Sequence, residues 1–300
     1  MSADGAADGD NMQRFELYIK ASAIDKETKG SCPICQQWFM ITVLLGENQD
    51  DIDFKVYTVQ ADCPPKNFGV DQGWSKKFPV IMVLSGRNKN GQDISNMKYD
   101  EFETLETFFE SINRSCPELK RKNAPNLAAM EAVQDVYPTF NAFLSQKADR
   151  HDDRRLKAEL KKINEFLESE DTKFWLTMSC PLQTAFLLPR LQHIRVAGEA
   201  YRGFEIPKEY TALWKYLADA YKTEAFKSTM PSDQDIIFHY EKKAANPPRK
   251  GKWSSRPTLQ RFTYTMDIPP QVAAALNGSD EDGDSLDNLM PPQIEQAQHA

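Results

Sequence analysis

The chain has 300 residues, with 37 Lys and Arg against 44 Asp and Glu for a net charge of −7, and 40% of its residues are hydrophobic. That length suits two compact domains, or one domain and a tail, and the mild acidity argues against general nucleic-acid binding. No stretch reaches the roughly 18 apolar residues of a spanning helix. The polar start MSADGAADGD has neither the basic nor the apolar region of a signal peptide, so the five cysteines read as cytosolic thiols rather than a disulfide framework.

Residues 1–13 read as a disordered leader. Phe15-Glu16-Leu17-Tyr18-Ile19-Lys20 alternates with the period of a half-buried strand. Cys32-Pro33-Ile34-Cys35 follows a polar loop and opens an apolar run to Leu45, so a buried helix is predicted over Pro33–Leu45. Pro33 suits the first helical turn, where its missing N–H costs nothing. A thiol at that terminus faces unpaired N–H groups and the positive end of the helix dipole, which favour the thiolate. Thiol–disulfide exchange by Cys32 is the implied chemistry, with Cys35 either resolving the product or only packing. A zinc site is disfavoured, because no second CxxC exists and the four histidines show no ligand spacing.

Further strands are predicted over Phe54–Val59 and Val80–Leu84, with a hairpin through Arg87–Gly91 and a helix over Asp100–Ile112. This order defines a thioredoxin-like domain over residues 14–115. Phe78-Pro79-Val80 puts a proline directly before a strand, where that fold keeps a cis peptide beside the thiol; a trans proline opening an edge strand is the plainer alternative. Cys63, Cys116 and Cys180 are each followed by proline, as loop-to-helix junctions explain.

Residues 116–126 form a linker. Residues 127–245 have helical periodicity throughout, broken at Asp149–Asp153, Glu170–Pro181, Gly203–Pro207 and Met230-Pro231-Ser232, which predicts about five helices. Pro189 lies inside one of them and should kink it, and His193 and Arg195 on the same helix read as packing and surface residues. Residues 246–300 read as a disordered tail, basic around Arg249-Lys250-Gly251-Lys252 and acidic over Asp280–Asp287. Trp253, Phe262 and Tyr264 within it are the residues able to dock on the body or on a partner.

An α/β thioredoxin-like half followed by an all-helical half is the plan of the glutathione transferase superfamily. Within it the chain resembles the chloride intracellular channel family in its invertebrate form. The resemblance rests on Lys20-Ala21-Ser22-Ala23-Ile24-Asp25, on Cys32-x-x-Cys35-Gln36 with Phe39-Met40, and on the run Leu188-Pro189-Arg190-Leu191-Gln192-His193-Ile194-Arg195-Val196-Ala197-Gly198. Phe204-Glu205-Ile206-Pro207, Thr211-Ala212-Leu213-Trp214 and Pro231-Ser232-Asp233-Gln234-Asp235-Ile236-Ile237 extend it, so that it covers about residues 15–245.

The resemblance implies a cytoplasmic glutathione-transferase-fold protein that associates conditionally with intracellular or plasma membranes, inserts and conducts chloride. The alternatives are a glutathione-dependent thiol–disulfide oxidoreductase using Cys32, and a non-catalytic binding module. The implied partners are glutathione, chloride, membrane lipids under acidic or oxidising conditions, and cytoskeletal proteins. It further implies a mixed disulfide between Cys32 and glutathione, resolved by Cys35 or by glutathione, and a backbone contact at Pro79 and Val80. An acid-plus-hydroxyl pair at the start of the next helix, which holds the γ-glutamyl end, falls at Ser95 and Asn96, where the acid is missing; Asp93 or Asp100 is the possible substitute. The capping box that opens the family's central helix is replaced here by Pro181 and Thr184.

The implied spanning segment runs from Cys32 to about Val59 and contains Glu47, Asp50, Asp51 and Asp53. An ionised Asp at the centre of a span costs about 2.5–3.5 kcal/mol, against a few tenths returned per apolar residue. Pro33–Gly46 alone covers about 21 Å at 1.5 Å per residue, short of a core of about 30 Å. Insertion is therefore expected to need acidic pH and more than this one helix.

Overall fold

The computed structural model describes residues 12–62, 77–114, 124–147, 149–169, 182–248 and 262–279. Residues 1–11 of the expected leader, Cys63, Cys116, Cys180, Trp253, most of the expected linker and the acidic run 280–287 lie outside the described residues, while Gln13 of that leader already belongs to β1.

Four strands form one mixed sheet in the order β2-β1-β3-β4: β1 is Gln13–Lys20, β2 Ile52–Val59, β3 Val80–Ser85 and β4 Lys98–Tyr99. Strand β1 pairs parallel with β2 from Gln13↔Ile52 to Lys20↔Val59, and antiparallel with β3, where Tyr18 faces Val80. Its alternation is the one read from the sequence: Phe15, Leu17 and Ile19 are buried, while the intervening side chains are more exposed. A parallel pair needs a crossover, and helix α1 (Pro33–Asn48) supplies it, three residues longer than expected. Helix α2 (Phe102–Ile112) follows β4 and begins two residues later than expected. The expected hairpin is present, with Asn88 N–H donating to the Gln92 carbonyl and Gly91 at a φ of 78°.

The second half contains α3 (Ala124–Val133), α4 (Val136–Leu144), α5 (Arg154–Glu168), α6 (Leu182–Arg202), α7 (Thr211–Ala220), α8 (Glu224–Thr229) and α9 (Asp233–Tyr240). Among the described residues these are seven helices, where about five were expected. The surplus comes from short pieces: Gln134-Asp135 separates α3 from α4, and Met230-Pro231-Ser232 separates α8 from α9. Each short helix has its own start, as where Ser232 Oγ accepts from Asp235 N–H at 3.1 Å. Helix α6 runs through Pro189, which removes one hydrogen-bond donor from its ladder.

One hydrophobic core runs through both halves, from Phe15 and Leu17 of the sheet to Phe226 and Tyr240 of the helices. Helix α1 is its hinge of contact, packing on the sheet with one face and on α6 and α8 with the other. Polar bonds add direction. Asp235, 1% exposed, accepts from Ser22 Oγ at 2.7 Å and from Ala23 N–H at 3.2 Å, tying the loop before Cys32 to α9. Lys29 Nζ donates to the Ser228 carbonyl at 2.6 Å.

Within the expected tail, residues 262–279 are described and dock on the helical half. Phe262–Pro269 lies as an extended strap against the helical half, and α10 (Pro270–Ser279) follows it, with Val272 2% exposed. The cause is Asp233, buried at the start of α9, whose carboxylate accepts from Thr263 Oγ1, Thr265 Oγ1 and Thr265 N–H at 2.9–3.0 Å. A buried carboxylate needs such donors, and the strap brings them from some thirty residues away.

Asp235→Ala is expected to lower stability by about 2–4 kcal/mol, because it strands buried donors that each gave a charge-assisted bond. Asp235→Asn, which keeps one acceptor, should lose less. Urea unfolding of the three proteins measures this; equal midpoints would show that the loop is held by packing alone.

Candidate functional site

Cys32 is the N-cap residue of α1, with Pro33 in the first turn and the Cys32 carbonyl accepting from Gln36 N–H at 3.0 Å. The cap has extended backbone geometry, which turns the thiol across the open end of the helix. The Cys35 thiol, the Cys35 and Ile34 N–H groups and the Lys20 ammonium all lie on the side of the Cys32 sulfur where they favour its thiolate, although no N–H of the first turn makes a capping hydrogen bond to it. Together, the Cys35 thiol first, they bring the Cys32 thiol down to about 6 against the opposing effect of burial. Cys32 is therefore largely thiolate at neutral pH. Cys35 is 1% exposed, and its burial, followed by its bond to Cys32, pushes its own thiol well above the ordinary range. Cys35 favours the Cys32 thiolate while staying protonated itself, and its burial keeps it from outside disulfides in this conformation.

Phe78–Pro79 is cis, as the thioredoxin-like reading requires. Val80 is fully buried at the start of β3. Ser95 and Asn96 sit in the turn before β4, where Ser95 N–H donates to Asp93 at 2.9 Å and Asn96 has a φ of 61°. They are not at the start of α2. The acids there are Asp100, paired with Lys98 at 3.1 Å, and Glu101, the N-cap residue.

A cleft of about 430 Å³ opens beside Cys32. Its walls are the end of β1 and the following loop (Lys20, Ala23, Lys26) on one side, and the end of α9 with the turn after it (Phe238, His239, Lys243) on the other. Pro79, Val80, Ser95 and Asn96 are not among the lining residues. His239 Nε2 lies 3.0 Å from Lys243 Nζ. Burial, then the charges of Lys243 and Lys20, press His239 down to about 4, so at neutral pH it accepts a hydrogen bond from the lysine.

Behind the thiol lies a buried polar group that sequence reasoning missed. Arg190, 6% exposed, donates to the Phe186 carbonyl and to Gln37 Oε1, the latter at 3.3 Å, and stacks on the Phe186 ring at 3.5 Å. Burial pulls its guanidinium down to about 10, which leaves it charged at neutral pH, and the nearby Tyr137 and Cys32 act in its favour. Tyr137 and Tyr240 share a hydroxyl bond at 2.8 Å, and Tyr240 meets His193 Nδ1 at 2.9 Å. The available signal was a lone arginine inside the apolar stretch Ala185–Leu191. His193 is fully buried, as a packing role implies; Arg195 is not a surface residue, since its guanidinium lies over Trp214 and bonds the Tyr221 hydroxyl and the Asp267 carbonyl.

Among the described residues no helix is long and apolar enough to cross a membrane, and no group of side chains could hold a metal ion.

Comparison with known proteins identifies relatives along nearly the whole chain. The CLIC-like N-terminal domain family matches residues 13–82. The chloride intracellular channel Clic of Drosophila melanogaster is 33% identical over 265 residues, which cover 88% of this chain and 93% of that protein. The chloride intracellular channel exc-4 of Caenorhabditis elegans is 28% identical over 277 residues, covering 86% and 88%. The crystal structure of the Caenorhabditis elegans homologue EXC-4 superposes with a TM-score of 0.66 at 24% identity, covering 90% of this chain and 99% of that one. A dehydroascorbate reductase from Chlamydomonas reinhardtii shares the fold, with a TM-score of 0.56 at 20% identity over 76% of this chain and 98% of its own. A buried-helix thiol site on a glutathione-transferase-like fold, matched along nearly the whole chain by two such relatives, places this protein in the chloride intracellular channel family.

Proposed function

We propose that the folded form is a glutathione-dependent thiol–disulfide oxidoreductase with Cys32 as nucleophile. The observation that carries this reading is the Cys32 thiol, lowered to about 6 at the N-terminus of α1 and facing an open cleft. In a mixed disulfide of a substrate thiol with glutathione, the Cys32 thiolate attacks the glutathionyl sulfur. The substrate thiolate leaves with the electron pair of the broken S–S bond and takes a proton from water. A second glutathione thiolate then attacks the glutathionyl sulfur on Cys32, which frees Cys32 and yields glutathione disulfide. In net terms the mixed disulfide and one free glutathione become the substrate thiol and glutathione disulfide, so one glutathione is oxidised for each substrate thiol released. Burial of Cys35 favours glutathione over Cys35 as the resolving thiol. Pro79 and Val80 offer the backbone contact to the tripeptide. Asp100, at the start of α2, is the better partner for its ammonium than the turn residues Ser95 and Asn96.

The second reading is the chloride conductance after which the Drosophila and Caenorhabditis relatives are named. It requires refolding. The acids at the α1–β2 junction are at the protein surface or engaged there, with Asp51 paired to Arg114 at 2.6 Å and Asp53 to Arg14 at 3.6 Å. A span over Cys32–Val59 would have to break both pairs and bury the charges, so acidic conditions and anionic lipid favour it.

Two outcomes check these readings. Alkylation of Cys32 by iodoacetamide, followed against pH, is expected to have its midpoint near 6. In Cys35→Ala the midpoint should rise to about pH 7 or higher, since a charge-assisted bond is worth about 1.5–3 kcal/mol and about 1.4 kcal/mol is one decade. An unmoved midpoint would remove Cys35 from the site. Chloride efflux from anionic liposomes is expected to be greater at pH 5 than at pH 7; equal efflux at the two values would refute acid-dependent insertion.

A further inference from the structure

The thiol stands between two different surfaces. In the order β2-β1-β3-β4, the loop that carries Cys32 leaves the end of β1. Pro79 and Val80, where the glutathione backbone is proposed to lie, are on the β3 side. The cleft is on the β2 side: Gln60 and Asp62, just past the end of β2, line it together with the residues after α9. A disulfide under attack at Cys32 has glutathione on one side and its other half on the opposite side, so the cleft is where that other half goes.

Its chemistry is distinctive. Lys20, Lys26, Lys242 and Lys243 line it against two carboxylates, Asp62 and Glu241, in a chain whose net charge is −7. Among the described residues none of these four lysines forms an ion pair. His239 accepts from Lys243 and adds no positive charge at neutral pH. Lysines stand on both walls, two from the loop around β1 and two from the turn after α9, so the field is not that of a single anion cradle. Phe238, 41% exposed, adds an apolar contact on the second wall.

Resting on the oxidoreductase reading, we infer that this cleft is the subsite for the second half of the disulfide and takes an acidic polypeptide, a glutathionylated cysteine flanked by Asp and Glu. Basic walls raise the local concentration of such a chain and its rate of encounter. The effect weakens as salt screens it over a length of about 8–10 Å. After Cys32 takes the glutathionyl group, the peptide thiolate leaves on the cleft side, where the lysines favour the departing negative charge until water protonates it.

The test uses the full chain, glutathione and three S-glutathionylated octapeptides with acidic, neutral or basic residues around the cysteine, with kcat/KM read as glutathione disulfide formation. The acidic peptide is expected to exceed the basic one by about tenfold or more at low salt, within the range of electrostatic steering, with the ratio shrinking in 0.5 M salt. In Lys26→Glu/Lys242→Glu, both at exposed positions, the order should invert. Equal turnover of the three peptides, or an order untouched by the double reversal, overturns the inference and leaves the thiol reading standing. No turnover of any peptide, with Cys32 still alkylated at low pH, overturns both.

Discussion

Burial of α1 on both faces is the constraint on which the rest depends. A helix that packs on a sheet with one side normally presents its other side to water; here Cys35, Trp38, Met40, Ile41 and Leu45 are each at most 1% exposed. That burial fixes the first turn of the helix, and the first turn fixes the thiol. The Cys32 sulfur stays beside the open N-terminus of the helix because the helix cannot rotate, and the Cys35 thiol stays near enough to favour the thiolate because its own side chain is held in the core. The lowered thiol is therefore a product of packing as much as of the two-cysteine motif.

The helical half completes the site rather than shielding it. Asp235 holds Ser22 and Ala23, and so the loop that leads into Cys32. Arg190 places a positive charge behind the thiol from a helix more than 150 residues away in sequence, bonded to Gln37 of α1. A buried guanidinium is tolerable because the Phe186 carbonyl and ring, the Gln37 amide and the field of Tyr137 and Cys32 share its charge. Moving the two halves apart would cost these contacts together, so the thiol's chemistry and the docking of the domains are linked.

Much of this was legible beforehand because it is local. The alternation of Phe15–Lys20, the Cys-Pro-Ile-Cys junction and the proline before Val80 each encode their own geometry, and the run around Leu188–Gly198 identified the family. What stayed hidden depends on distant partners. The docking of Thr263 and Thr265 follows from a buried Asp233 some thirty residues earlier, so a polar, proline-rich composition read as disorder. The placement of the acids before α2 turned on the length of the turn between β3 and β4, which hydrophobic period does not report; Ser95 and Asn96 fell inside that turn. Arg195 looked like surface because its covering, Trp214, Tyr221 and Asp267, comes from two other segments.

The same packing sets the terms for any membrane form. To leave the fold, α1 must expose the side chains it buries between sheet and helices, and fully exposing an apolar side chain of that size costs about 1.5–3 kcal/mol. Five or more of them move together, because the core they share is continuous across both halves. The cost is of the order of the whole stability of an ordinary domain. Insertion of α1 alone is thus a disassembly of the glutathione-transferase-like fold, and the bilayer must replace the buried contacts as they are lost. An inserted form, if the chain adopts one, would exclude the folded form of this helix, with Cys32 at the end that would lead. Whatever weakens the contacts of α1 with α6 and α8 would favour leaving the folded form, and a ligand that bound both walls of the cleft would oppose it.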